Sequence, residues 1–144
     1  MSEFTIHTLD TAPQASRLIL QNTEKQLGFI PNLYAVFAES TTTLEAYQTL
    51  AKLFDKTAFT VIERQLVLLS ISRYCDCTYC LAAQGTKAKM QKIPTEIIDA
   101  VYYKQPLSDA KLDALRIFTL AVLEAEGWVK QDTLQNFYHA GYQK

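Results

Sequence analysis

Glycine and proline are scarce in this 144-residue chain, four of each, and their placement constrains the fold more than any other feature. Pro13, Pro31, Pro94, Pro106, Gly28, Gly127 and Gly141 all fall at, or within two residues of, a boundary between helix-periodic segments. Gly85 is the exception. Proline disrupts a helix interior and glycine favours the cap beyond a helix C-terminus. A chain that confines both to boundaries leaves long uninterrupted stretches for helices.

The segments follow from that punctuation. Residues 1–11 form an irregular or extended arm. Residues 12–27 carry Ala15, Leu18, Ile19 and Leu27 at helical spacing, with Gly28 as the stop. Pro31 opens a short helix through Ala38. Thr41 to Thr43 supply N-caps for a helix containing Leu44, Tyr47, Leu50, Ala51 and Phe54. Thr60 caps the next helix, with Glu63 as its capping-box partner. The apolar run Leu66 to Ile71 includes β-branched residues, but the cap and a length of roughly 14 residues favour a buried helix over a strand. Asp76 or Cys77 starts a helix through Met90. Pro94 and Thr95 open a short one ending near Tyr103. Ser108 caps a helix to Glu126, with Asp109 in its first turn and Gly127 as its stop. Asp132 caps a last segment that ends at Gly141. No stretch alternates with period two. The expectation is an all-α domain of seven or eight helices spanning residues 1–144.

Apolar residues make up 49% of the chain, enough for a core, and 14 basic residues nearly balance 15 acidic ones. This leaves no basic face for nucleic acid. The N-terminus lacks the pattern of a secretory signal, and no apolar run approaches the ~20 residues of a membrane span. A cytoplasmic protein without membrane or nucleic-acid partners is expected. The aromatic set Phe29, Tyr34, Phe37, Tyr47 and Phe54 recurs at helical spacing and is expected in a core or interface. Trp128 is expected to act as a packing anchor.

All three cysteines, Cys75, Cys77 and Cys80, fall within six residues. In a reducing compartment such a cluster points to chemistry more than to stapling. Cys77-Thr78-Tyr79-Cys80 places two sulfurs on the first turn of a helix and on one face. There the helix dipole stabilises a thiolate, the species that attacks disulfides and peroxides. A zinc site would need further Cys or His ligands, and only Cys75, His7 and His139 remain. No cofactor and no metal is expected. Cys75 is either a small apolar residue or a third thiol able to reshuffle the pair. Glu63, on the preceding helix, is either a capping residue or a carboxylate that takes a thiol proton. Gln84 shares the face of Cys80 one turn later and can orient water or substrate without titrating. Tyr79 is a core aromatic or a hydroxyl donor, and His7 and His139 are expected at the surface or in packing.

These segments together resemble the carboxymuconolactone decarboxylase superfamily, in its alkylhydroperoxidase D-like, peroxidase-related branch. The resemblance rests on residues 28–34, 63–70, 77–84, 113–118 and 140–142. It implies an all-helical subunit assembling into trimers or hexamers, with a redox-active disulfide and peroxidase-type activity. It assigns peroxide attack to Cys80 and resolution to Cys77, whereas the helix dipole alone favours Cys77 as nucleophile. It also implies an upstream glutamate, matched by Glu63 or by the Gln65 position, and a histidine where this chain has Gln84. Relatives are expected to continue with a further helix beyond Ala140-Gly141-Tyr142.

The implied activity is a thiol-dependent peroxidase that reduces a small hydroperoxide and is recycled by an external dithiol. In that scheme Glu63 assists deprotonation and Gln84 orients water. Two alternatives stand beside it: a non-catalytic or redox-sensing module that kept the thiols, and a lactone decarboxylase.

Overall fold

A computed structural model describes residues 4–143. Eight α-helices and no strand form among the described residues, as the boundary placement of glycine and proline requires. The helices are α1 (Gln14–Leu27), α2 (Asn32–Phe37), α3 (Thr41–Phe54), α4 (Val61–Tyr74), α5 (Thr78–Met90), α6 (Thr95–Tyr102), α7 (Ala110–Glu124) and α8 (Gln131–His139). No helix is long and apolar enough to cross a membrane, among the described residues. Residues 1–3 of the expected N-terminal arm lie outside the described residues, and residues 4–13 are extended or turned.

Contacts gather into two compact units, residues 1–57 and 58–144. In the first, α3 packs on α1 and α2 around Leu20, Ala38 and Leu44. Ser16 is fully buried and ties the unit together: its hydroxyl donates to the Ala38 carbonyl (2.7 Å) and lies 2.8 Å from the Thr41 hydroxyl. Tyr47 meets Tyr34 and Phe37 edge-on, as expected for that aromatic set, while Phe29 is 60% exposed.

In the second unit α4 is the central element, packing against α5, α6 and α7, while α8 packs on α7. Leu66 and Leu69 of α4 meet Ile98 and Val101 of α6 and Leu115 of α7 in one core. Phe118, Phe137 and Tyr142 close the far side as a stack, with centroid separations of 4.1 and 4.5 Å.

Three caps differ from the sequence reading. Ser40, not the Thr41–Thr43 cluster, caps α3, its hydroxyl accepting from the Thr43 amide. Asp109, not Ser108, caps α7 by accepting from the Leu112 amide at 2.9 Å. Lys130 occupies the α8 N-cap, which leaves Asp132 in the first turn as charge complement to the helix dipole. Each short polar run offers several residues able to cap, and tertiary packing selects among them. Trp128 is 88% exposed, so it is not the expected packing anchor among the described residues.

Leu69 is fully buried at the centre of α4. Leu69→Ala is expected to cost about 2–5 kcal/mol of stability, read from the urea midpoint.

Candidate functional site

The two chemical sulfurs sit where α4 hands over to α5. α4 ends in a Schellman motif: the Asp76 amide donates to the Arg73 carbonyl (3.3 Å) and the Cys77 amide to the Ser72 carbonyl (3.1 Å). The motif needs a left-handed residue between them, and Asp76 takes it at φ 47°. An Asp76–Arg73 ion pair holds that aspartate from the side. Cys77 is thus the last donor to α4 and at the same time the N-cap of α5, its sulfur accepting from the Cys80 amide at 3.2 Å.

Cys77 and Cys80 are joined as a disulfide, with their Cα atoms 5.2 Å apart. Both are half-buried, and Cys75, the C-cap of α4, is exposed and free. Tyr79 lies exposed on the first turn of α5, and His139 is exposed at the end of α8. His7, by contrast, is buried, with Nε2 2.7 Å from a Glu39 carboxylate oxygen.

A three-residue connection joins α4 to α5, and the two helices pack against each other. Gln65 of α4 and Gln84 of α5 meet across that contact. The Gln65 side-chain amide donates to both the side-chain oxygen and the backbone carbonyl of Gln84, each at 2.9 Å. Gln65 is 2% exposed, and Gln84 lies one helical turn beyond Cys80 on the same face. Sequence reasoning had Gln65 only as an alternative to Glu63. The pairing depends on the register between two helices, which no local pattern encodes.

Glu63 is placed differently. Two residues along a helix turn a side chain by roughly 200°, so α4 cannot aim both Glu63 and Gln65 at α5. Glu63 closes the expected capping box, its carboxylate accepting from the Thr60 amide (2.7 Å) and its amide donating to the Thr60 hydroxyl (3.2 Å). Lys111 of α7 pairs with the other carboxylate oxygen at 3.3 Å. The Tyr142 hydroxyl lies near enough to the carboxylate to act on its charge. Among the described residues, no hydrogen bond links Glu63 to Cys77 or Cys80. Burial pushes the Glu63 pKa up, but the Thr60, Tyr142 and Lys111 contacts outweigh it, so the carboxyl lies below its ordinary value. Burial and the neighbouring Glu63 carboxylate push the Tyr142 phenol upward in turn.

No protein-family model matches the sequence, and no curated protein matches it. Solved structures do match. The chain superposes on the alkylhydroperoxidase AhpD core of an uncharacterized peroxidase-related protein from Ralstonia eutropha JMP134 with a TM-score of 0.82. The two are 21% identical over 99% of this chain and 77% of that one. An uncharacterized peroxidase-related protein from Silicibacter sp. TM1040 matches with a TM-score of 0.81 and 18% identity, covering 99% and 78% of the two chains. The chain therefore has the all-helical fold of the alkylhydroperoxidase AhpD core.

The lowered Glu63 pKa fixes the sign of a pH effect. The folded state holds this proton less tightly than the unfolded chain. Its contribution is therefore complete above the ordinary value of 4.5 and is lost as pH falls through the folded value. Glu63→Gln is expected to cost about 0.5–2 kcal/mol at neutral pH, as for a lost cap. The difference from wild type should shrink well below pH 4.5, which urea melts across the acid range will measure.

Proposed function

We propose that this chain is a thiol–disulfide oxidoreductase that reduces a small hydroperoxide at Cys80 and Cys77. The observation that carries the reading is the Cys77–Cys80 disulfide at the first turn of α5. The fold it sits in is shared with proteins named peroxidase-related.

In the reaction the Cys80 thiolate attacks the outer peroxide oxygen. The O–O bond breaks with its electron pair on the departing alkoxide, which takes a proton from water, and Cys80 becomes a sulfenic acid. The Cys77 thiolate then attacks the Cys80 sulfur, expelling hydroxide that is protonated to water and leaving the disulfide. An external dithiol returns both cysteines to thiols through two exchanges, itself becoming a disulfide. The N-cap position suits Cys77 to its part. Its sulfur accepts the Cys80 amide and lies at the positive end of α5, which stabilises the thiolate. A stabilised thiolate is the better leaving group, so the reductant attacks Cys80 and releases Cys77.

The neighbouring amides set the speed. Gln84 and Gln65 hold each other by a hydrogen bond where a proton relay would need a titrating pair. Positioned acid–base groups contribute roughly 10²–10⁴-fold to such steps. Peroxide turnover is accordingly slow, and Gln84 serves to orient water. Glu63 is assigned to the α4 cap and acts on the thiols only by holding that helix. The same amide pair favours a second reading, a redox-sensing module that oxidises once and is not recycled rapidly. The exposed Leu50, Met90 and Trp128 support a homo-oligomer under either reading.

Under hydrogen peroxide the reduced protein is expected to lose two thiols per chain and gain the Cys77–Cys80 disulfide, read by mass mapping. A protein whose Cys77 and Cys80 stay reduced, or whose Cys77→Ser/Cys80→Ser variant consumes peroxide equally fast, would sink the proposal. Gln65→Glu/Gln84→His is expected to raise steady-state peroxide turnover at least roughly tenfold with a dithiol reductant. No gain there, with oxidation still complete, favours the sensing module.

A further inference from the structure

Gln65 and Gln84 meet as two amides, and the way round they meet decides what Cys80 has beside it. A backbone carbonyl only accepts hydrogen bonds. The Gln65 side-chain atom 2.9 Å from the Gln84 carbonyl is therefore its nitrogen. That nitrogen also lies 2.9 Å from the Gln84 side-chain amide, and it has only donors to offer. The Gln84 atom facing it is therefore the oxygen, since an inverted Gln84 would set N–H against N–H. The main chain of Gln84 thus sets the polarity of both amides.

With its oxygen held, Gln84 has its –NH2 left to donate. That group has no hydrogen-bond partner among the described residues. The side-chain polar atoms among them that are both sealed and unpaired are the Ser70 and Tyr142 hydroxyls, so the Gln84 nitrogen is open to water. Helical side chains lean toward the N-terminus of their helix. Cys80 stands one turn away in that direction, and both residues are half-buried. At this spacing the Cβ atoms are about 5–6 Å apart. Gln65 is 2% exposed and holds Gln84 from behind.

We propose that Gln65 is a positioning residue: by holding the Gln84 oxygen, it fixes the Gln84 –NH2 as a donor to negative charge at Cys80. The charge is first on the thiolate. In peroxide attack the S–O bond forms and the O–O bond breaks. The electron pair goes to the departing oxygen, which water protonates. An amide N–H stabilises either anion without giving up its proton. The peroxide part of this assignment rests on the function proposed above, whereas the thiolate part does not.

The test follows two reactions of the reduced whole protein, both located at Cys80 by mass mapping. One is oxidation by hydrogen peroxide. The other is alkylation by iodoacetamide, which needs the thiolate but no peroxide chemistry. Gln84→Met keeps the bulk and removes the donor. It is expected to slow oxidation roughly tenfold and alkylation about threefold. Gln65→Met should slow both by less, because the Gln84 amide stays but is free to turn. The Gln65→Met/Gln84→Met protein should be no slower than Gln84→Met, since Gln65 acts only through Gln84. Circular dichroism checks that each variant is folded. In the unmodified protein, the Gln84 –NH2 resonances should shift as the reduced thiols ionise. A still Gln84 –NH2 pair, unchanged alkylation in folded Gln84→Met, or losses that multiply in the double variant overturns the proposal. Alkylation that follows the expected pattern without any peroxide oxidation keeps this assignment and removes the peroxide reading.

Discussion

Cys77 answers to two helices at once. Its amide completes the hydrogen bonding of α4 through Ser72, and its sulfur accepts a first-turn amide of α5, that of Cys80. Helix ends leave four amides and four carbonyls unsatisfied, and here one residue serves both ends within a three-residue turn. That economy keeps α5 close against α4, and their packing brings Gln65 opposite Gln84. It also places the sulfur where the α5 dipole favours negative charge. The chemistry and the packing of the second unit therefore share one junction, and the left-handed Asp76 is what makes the junction short enough.

That junction sorts the acidic and amide residues of α4 into different tasks. Facing α5, Gln65 can donate and accept hydrogen bonds, but it cannot exchange a proton at ordinary pH. Facing α7, Glu63 is charged and already engaged by a cap, a lysine and a phenol. Its lowered pKa is the mark of a carboxylate held as an anion by structure. A general base for a thiol is more effective with a pKa near the working pH. The electrostatics thus divide the helix into a structural carboxylate and a neutral pair beside the sulfurs.

Much of this was readable in the residues. The Thr60–Glu63 box, the Gly28 stop and a helix start at Asp76 or Cys77 are local signals, each decided within four residues of chain, and each forms, the last with Cys77 as the cap. The choice between Ser40 and Thr41, or Ser108 and Asp109, was not readable, since adjacent residues offer near-equivalent side chains. Helix ends near Met90, Tyr103 and Glu126 were readable, but the left-handed residues beside the ends carried no glycine signal. Asp76, Lys92, Lys104 and Glu126 all take left-handed conformations, a role whose sequence signal is usually glycine. The Gln65–Gln84 pair is a tertiary fact, invisible until two helices are placed side by side.

The polar content of α4 follows from its position. A helix packed on three neighbours is buried nearly all round and is expected to be apolar all round. Yet Glu63, Gln65, Ser70 and Ser72 are all buried on it. Burying a polar group is tolerable when it is bonded, and three of the four are: Glu63 to Thr60 and Lys111, Gln65 to Gln84, Ser72 to Leu68. Each of those three either holds the helix or faces the cysteine-bearing helix. Ser70 has the same burial and no hydrogen-bond partner among the described residues. Of the four, the Ser70 hydroxyl alone has a desolvation cost that no hydrogen bond among the described residues offsets.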